Sequence, residues 1–261
     1  MNEKNIEKKE FLDNMREIGK KVSLILEELK KKIFPGISGI EIEKESLKLM
    51  KEKKIHSSSL GYRGFPSAIC LSINNELTHG IPNNKIIKDN DLVSLDLACY
   101  QKDQKGNYYH ADAATTFFIG KKKNKKKEHL INITNNVLHL AIKSIIPNIT
   151  TTKELGKLIE ESLEKDYFSI REYGGHGIGN KLHLEPFIPN YNISHSSIVI
   201  KEGTFICIEP LVQEKDREIK ISSDNWTVIS KNGYLNAHFE HTIYIGKKNI
   251  EIMTPCQNCY E

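Results

Sequence analysis

Near the N-terminus, Phe11, Met15, Ile18, Val22, Ile25 and Leu29 recur at alternating steps of four and three. That spacing draws one apolar stripe down a long helix. The stripe is too short for a coiled-coil seam, so it predicts a first helix lying on a sheet. Pro35-Gly36 breaks it. Ser38 with Glu41 reads as a capping box opening a second helix to about Lys54. Residues 68–74 predict a strand. Residues 92–101 and 108–119 predict two more, joined by the polar loop 102–107. Leu130, Ile133, Val137, Ala141 and Ile145 mark a third helix, ended by Pro147. Thr151 with Glu154 caps a fourth, carrying Leu155, Leu158, Ile159 and Leu163. Strand patterns return at 204–213, 226–231 and 239–245.

This order repeats. Helix, Ile33-Phe34-Pro35-Gly36-Ile37-Ser38, helix matches helix, Ile146-Pro147-Asn148-Ile149-Thr150, helix. His79-Gly80-Ile81 matches His176-Gly177-Ile178, and Asp96 in its strand matches Glu209. His110-Ala111-Asp112 matches His238-Phe239-Glu240. Landmarks recurring in one order predict two related halves about a pseudo-two-fold axis. The halves span about 10–120 and 128–250, with residues 121–127 as a basic linker and 253–261 as a short tail. We read the whole of 1–261 as a single domain.

Composition narrows the function classes. The chain has 261 residues, 38% hydrophobic and 28% charged, which is ordinary for a soluble globular protein. A net charge of +4 is too mild to imply DNA binding. The N-terminal segment is charged from its third residue and lacks an apolar signal core, and no apolar run reaches membrane-spanning length. A cytoplasmic protein without a membrane partner is expected. Five scattered cysteines, an odd count, predict reduced thiols. The lysine-rich run 121–127 reads as a solvated linker.

The stretch Gly174-Gly175-His176-Gly177-Ile178-Gly179, followed by His183, looks like a tight glycine bend holding two histidines. The repeat also pairs carboxylates, Asp96 with Glu209 and Asp112 with Glu240, each in an apolar strand. A carboxylate there is costly unless it is paired or holds a metal. Four carboxylates and one imidazole converging need cations. Two divalent ions about 3.5–4 Å apart would neutralise them, acidify a water and polarise a carbonyl. That chemistry is hydrolysis. An oxygen-rich set with one imidazole suits manganese, iron or cobalt at least as well as zinc.

With these residues in place, the chain resembles the type I methionine aminopeptidases over about 11–252. The motifs that carry the resemblance are Tyr62-Arg63-Gly64-Phe65-Pro66, Cys70-Leu71-Ser72-Ile73-Asn74, His79-Gly80-Ile81-Pro82 and Ser94-Leu95-Asp96. They continue through His110-Ala111-Asp112, Arg171-Glu172-Tyr173-Gly174-Gly175-His176, His183-Leu184-Glu185-Pro186, Ile208-Glu209-Pro210 and Phe239-Glu240-His241-Thr242. The resemblance implies an α/β (α+β) pita-bread fold: two pseudo-two-fold-related halves with a central antiparallel sheet covered by helices. It implies two divalent ions (Co, Mn, Fe or Zn) held by Asp96, Asp112, His176, Glu209 and Glu240. Asp112 and Glu240 would bridge, and Glu209 would also act as general base toward the activated water. His79 would hydrogen-bond the scissile amide, and His183 would bind the substrate carbonyl oxygen. Tyr62, Phe65, Cys70, His79, Leu182, His183 and Trp226 would form the substrate site. The implied reaction removes N-terminal methionine from nascent polypeptides when the second residue is small. A monomer is expected, with the ribosome a compatible partner.

Some positions depart from the family pattern. Ala111 stands where glycine is usual, and Leu182 replaces the more usual aromatic. The strand-to-strand loop 102–107 is long. The short span from His176 to Glu209 leaves no space for the helical insertion of type II enzymes. An X-Pro peptidase would carry an additional N-terminal domain, and a non-catalytic relative would have lost ligands. The Cys256-Gln257-Asn258-Cys259 tail reads as free thiols, because a zinc site needs two further ligands.

Overall fold

The computed structural model describes residues 3–194 and 197–256. The first half runs α1 (Glu3–Lys32), α2 (Gly39–Glu52), β1 (His56–Ser57), a 3-10 turn (Tyr62–Gly64), β2 (Cys70–Ile73), β3 (Glu76–Thr78), β4 (Asp91–Lys102) and β5 (Tyr108–Ile119). Next come α3 (Lys125–Ser144), α4 (Thr152–Glu161), β6 (Tyr167–Ser169), β7 (Gly174–Gly177), β8 (Leu184–Pro189) and β9 (Phe205–Ile208). The chain then passes through β10 (Leu211–Glu214), β11 (Ile219–Ile221), β12 (Val228–Ser230), β13 (Asn236–His238), β14 (Glu240–Ile245) and β15 (Ile250–Ile252).

A nine-stranded sheet runs β1-β4-β5-β14-β9-β7-β8, with β2 added to β4 and β15 to β14. Its named pairings are antiparallel. Each half has its own helix pair over its own core. The α1 stripe Met15, Ile18, Val22, Ile25 and Leu29 is buried with Leu71, Leu95, Leu97 and Phe117. Burying each such side chain contributes about 1.5–3 kcal/mol. The backbone approach is close: a Cβ on Gly19 would meet the Met253 carbonyl oxygen at 2.1 Å. In the second half, Leu130, Val137, Ala141, Leu155 and Ile159 pack on Ile206, Ile208 and Ile243.

The repeat is built into the backbone. Both predicted capping boxes form, Ser38 with Glu41 and Thr151 with Glu154. Each cap residue makes an isolated bridge to a returning chain, Ser38 to Ile86 and Thr151 to Val199. Around them, Gly36 N donates to Ile87 O (2.8 Å) and Ile87 N to Ile37 O (2.9 Å). In the second half, Asn148 N donates to Ile200 O and Ile200 N to Thr150 O, both 2.9 Å.

Four expectations are corrected. The stretch at 174–177 is a strand, not a bend. Gly174, Gly175 and Gly177 sit where a Cβ would meet carbonyl oxygens of Ile188, Cys207 and Glu185 at 2.5, 2.0 and 2.2 Å. Those glycines serve close approach between strands, and none of them has a positive φ. The run at 204–213 is two strands in two sheets, interrupted at Glu209-Pro210, because proline has no N–H to give a ladder. The basic run is not all linker: Lys125 opens α3, Lys127 is buried, and Lys126 pairs with buried Glu214 at 2.9 Å. Finally, Cys70, Cys99 and Cys207 are free, but Cys256 is disulfide-bonded. An odd cysteine count requires one unpaired thiol and does not exclude a pair. Cys259 lies outside the described residues.

Candidate metal centre and substrate cleft

Pairing register places the first acids. Across β4–β5, Asp96 faces Ala114 and Ala98 faces Asp112, so both aspartates project from the same side of the sheet. Glu240, at the start of β14, faces Ala114 from the other edge of β5. Asp96, Asp112 and Glu240 each offer an oxygen within 4.8 Å of the others. Asp112 is clamped by Thr242, whose Oγ1 accepts from Asp112 N (2.9 Å) and donates to Asp112 O (2.8 Å).

His176 enters from the second half on β7. Its Nε2 lies 4.0 Å from Asp112 Oδ2 and 3.9 Å from Glu240 Oε1. Its Nδ1 is 3.0 Å from the Gly177 carbonyl oxygen, which can only accept. Nδ1 therefore carries the proton, and Nε2 turns its lone pair to the acids. Glu209 follows β9. Asn190 Nδ2 donates to its carbonyl at 2.7 Å, and His238 Nε2 lies 3.5 Å from its Oε1.

The set fits divalent cations. Asp112 Oδ1 and Glu240 Oε1 are buried without a hydrogen-bond partner. Burial first, then Asp96 and Glu209, push the Asp112 carboxyl well above its ordinary range. Burial, then Asp112 and Glu209, do the same to Glu240. Orphaned oxygens, mutual repulsion and an imidazole lone pair form a cage that a cation would satisfy. Cys207 also lies within 4.8 Å of His176 and Glu240. Burial raises its thiol well above the ordinary value, which keeps it a thiol rather than a thiolate ligand.

The acids open onto a cleft of about 370 Å³. The five proposed ligands line it together with Tyr62, Phe65, Cys70, His79, Leu182, His183 and Trp226. The structure thus brings all the sequence-derived site residues to one place. Phe65 and Trp226 meet edge to face at 5.2 Å, forming an aromatic wall. His79 has a left-handed backbone (φ 54°) and packs edge-on to Tyr173 at 5.4 Å. Burial lowers its pKa, although Asp96 and Glu209 pull the other way. His183 reaches the rim, and its ring lies 4.2 Å from that of His176. Loss of water around the ring, then His176, hold its pKa down to about 4. Burial is the largest single influence on His238 and lowers its pKa, but the Glu209 contact and the Asp96 charge together turn the net shift upward. Ala111 has no positive φ, so its methyl is accommodated.

Ser59, Arg63, Glu172, Tyr173 and Phe187 also line the cleft, and sequence reasoning assigned them no role. Glu172 and Tyr173 directly precede the glycine motif, which was a usable signal. Phe187 carried none. His238 was noted as a repeat landmark without a function.

Residues 13–247 match metallopeptidase family M24. The chain belongs to that family. Among M24 proteins, it is 41% identical over 251 residues to the methionine aminopeptidase of Mycoplasma capricolum subsp. capricolum, spanning 95% of this chain and 97% of that one. The crystal structure of the Thermotoga maritima methionine aminopeptidase matches with a TM-score of 0.87 and 35% identity, over 94% of this chain and 96% of that one. A prolidase from Pyrococcus furiosus matches at TM-score 0.72 and 21% identity, covering 96% of this chain but 65% of the prolidase, and shares the fold. The pita-bread architecture of M24 methionine aminopeptidases is therefore the fold of this chain.

Proposed function

We infer that the chain is a metal-dependent aminopeptidase that removes the N-terminal methionine from polypeptides. The single observation that carries the reading is a buried cage of orphaned carboxylates and one imidazole opening onto an aromatic-walled slot. Asp96, Asp112, His176, Glu209 and Glu240 would hold the divalent ions. Cobalt, manganese, iron or zinc each fit this donor set. A bound pair supplies Lewis-acid polarisation of the scissile carbonyl and acidification of a water.

The chain's own groups do the rest. Glu209 accepts a proton from the attacking water and returns it to the leaving amine. His183 donates to the carbonyl oxygen as negative charge develops there. His79, kept neutral by burial, hydrogen-bonds the scissile amide. Tyr62, Phe65, Cys70, Leu182 and Trp226 enclose the methionine side chain, an unbranched thioether suited to an apolar slot. Crowding by His79 limits the second residue to a small side chain. Leu182 gives up an aromatic wall, so norleucine and leucine leak through more readily.

The substrates are the N-termini of nascent chains, which places the enzyme in the cytoplasm beside the ribosome, without DNA or membrane partners. No helix among the described residues is long and apolar enough to cross a membrane.

A Met-X-Ser peptide series tests the assignment. Cleavage with X = Ala, Gly or Ser and none with X = Leu, Lys or Phe is expected. Equal rates across X, or a preference for X-Pro peptides without a methionine requirement, would overturn it.

A further inference from the structure

The loop that roofs the cleft has an unusual backbone. Gly61, Arg63 and Gly64 all have positive φ, at 81°, 50° and 90°. For Arg63 that conformation costs roughly 1 kcal/mol. The loop is nonetheless tightly tied. Gly61 N donates to Phe65 O (2.8 Å), Tyr62 N to Ser59 O (2.9 Å), and Phe65 N to Tyr62 O (2.9 Å). Ser57 Oγ donates to Ala68 O (2.8 Å) and accepts from the backbone of Ser59 and Leu60 at 3.1 and 3.0 Å. A strained backbone that the surroundings over-determine in this way commonly serves a functional site.

What the loop delivers is Tyr62, with its hydroxyl 2.9 Å from His183 Nδ1 and its ring 5.0 Å from the imidazole. His183 needs an N–H on its other nitrogen if it is to donate to a carbonyl oxygen. A neutral imidazole carries one N–H, and the partner of the first nitrogen decides where it sits. A phenol donating to Nδ1 leaves the proton on Nε2. A surface histidine without that partner populates both tautomers and rotates freely.

We propose that Tyr62 is a positioning residue: its hydroxyl donates to His183 Nδ1, fixes the Nε2–H tautomer, and holds the ring in place as a donor toward the substrate carbonyl. The arrangement parallels that of His176, whose tautomer is set by the Gly177 carbonyl, but with the opposite polarity. There Nδ1 donates and Nε2 is a free lone pair, suited to a cation. Here Nδ1 accepts and Nε2–H is left to donate, suited to an oxyanion. Two imidazoles 4.2 Å apart are thus sorted into opposite chemical roles by their outer partners. The proposal rests on the reading that His183 addresses the scissile carbonyl.

Tyr62→Phe tests it, because phenylalanine keeps the pocket wall and removes only the hydroxyl. With the full-length, zinc-loaded protein, long-range ¹H–¹⁵N spectra read the His183 tautomer directly. The wild type should show Nε2–H alone, and Tyr62→Phe a mixture. On Met-Ala-Ser the variant should lose about 10–100-fold in kcat, the range for removing an outer partner, with KM changed much less. An unchanged tautomer population, an unchanged kcat, or a loss confined to KM would overturn the proposal and leave Tyr62 as a pocket wall. Absence of methionine cleavage by the wild type would instead fail the functional reading, while the spectra would still decide the tautomer.

Discussion

Replacing Asp112 by asparagine should stabilise the metal-stripped protein and destabilise the metal-loaded one. Asp112, Asp96 and Glu240 place carboxylate oxygens within 4.8 Å of one another. At an effective dielectric of about 20, two unit charges at that distance repel by roughly 3.5 kcal/mol. Protonation relieves part of this, since burial and the neighbouring acids raise the pKa of Asp112 and Glu240. The native state therefore holds protons that the unfolded chain releases above about pH 4. A group with a raised native carboxyl pKa loses stability as pH climbs from its unfolded value through its native one. The stripped wild type should accordingly weaken from pH 5 to pH 8. Asparagine is isosteric, removes one charge and can donate to the remaining acids. A gain of about 1–3 kcal/mol at pH 8 is expected, which at about 2–4 °C per kcal/mol is an upward Tm shift of several degrees. The gain should shrink toward pH 4. Manganese at about 100 times its Kd should raise the wild-type Tm by the equivalent of about 2.7 kcal/mol and the variant's far less. Thermal melts of EDTA-treated protein at pH 5, 6.5 and 8, with and without manganese, measure all of this. A stripped variant that melts below the wild type at pH 8, or a difference independent of pH, would refute the cage argument.

Gly175→Ala should cost about 3 kcal/mol or prevent folding, because its Cβ would lie 2.0 Å from the Cys207 carbonyl oxygen in β9, whereas Gly179→Ala, 3.6 Å from the Phe11 ring, should melt near the wild type. Desolvated histidines should give the opposite pH slope to the acids. Burial holds His110 at about 4 and His241 at about 3, so between pH 6.5 and 4 the unfolded chain binds protons that the native state refuses, and stability is lost as the pH drops through that window. Urea unfolding of His110→Gln across that window should show a flatter slope than the wild type by up to one proton.

Helices and caps were legible in the sequence because they are local. Ser38 with Glu41 and Thr151 with Glu154 need only a spacing of three and a following apolar stripe. The repeat was legible for the same reason, as motif order survives without coordinates. The strand at 174–177 was not legible, because its glycines answer to carbonyls of Glu185, Ile188 and Cys207, contacts that exist only after β8 and β9 dock. Lys127 read as a linker lysine because burial beside the Asn90 carbonyl and Phe118 is a tertiary fact. The candidate ligand acids were visible as carboxylates out of place in apolar strands. Their outer partners, Thr242, Asn190 and His238, had no assigned role, since a hydroxyl, amide or imidazole carries no pattern until its partner is known.

Strand β14 pairs with β5 on one side and β9 on the other, so it is the seam between the halves, and it is also among the last segments of the chain. A ribosome making this protein lays down Asp96, Asp112, His176 and Glu209 before the residue that ties them together. Until Glu240 has left the exit tunnel and the seam has closed, neither half owns a complete cage. Glu240 is thus the last of the five to be made, and the carboxylate set closes only when β14 pairs with β5 and β9.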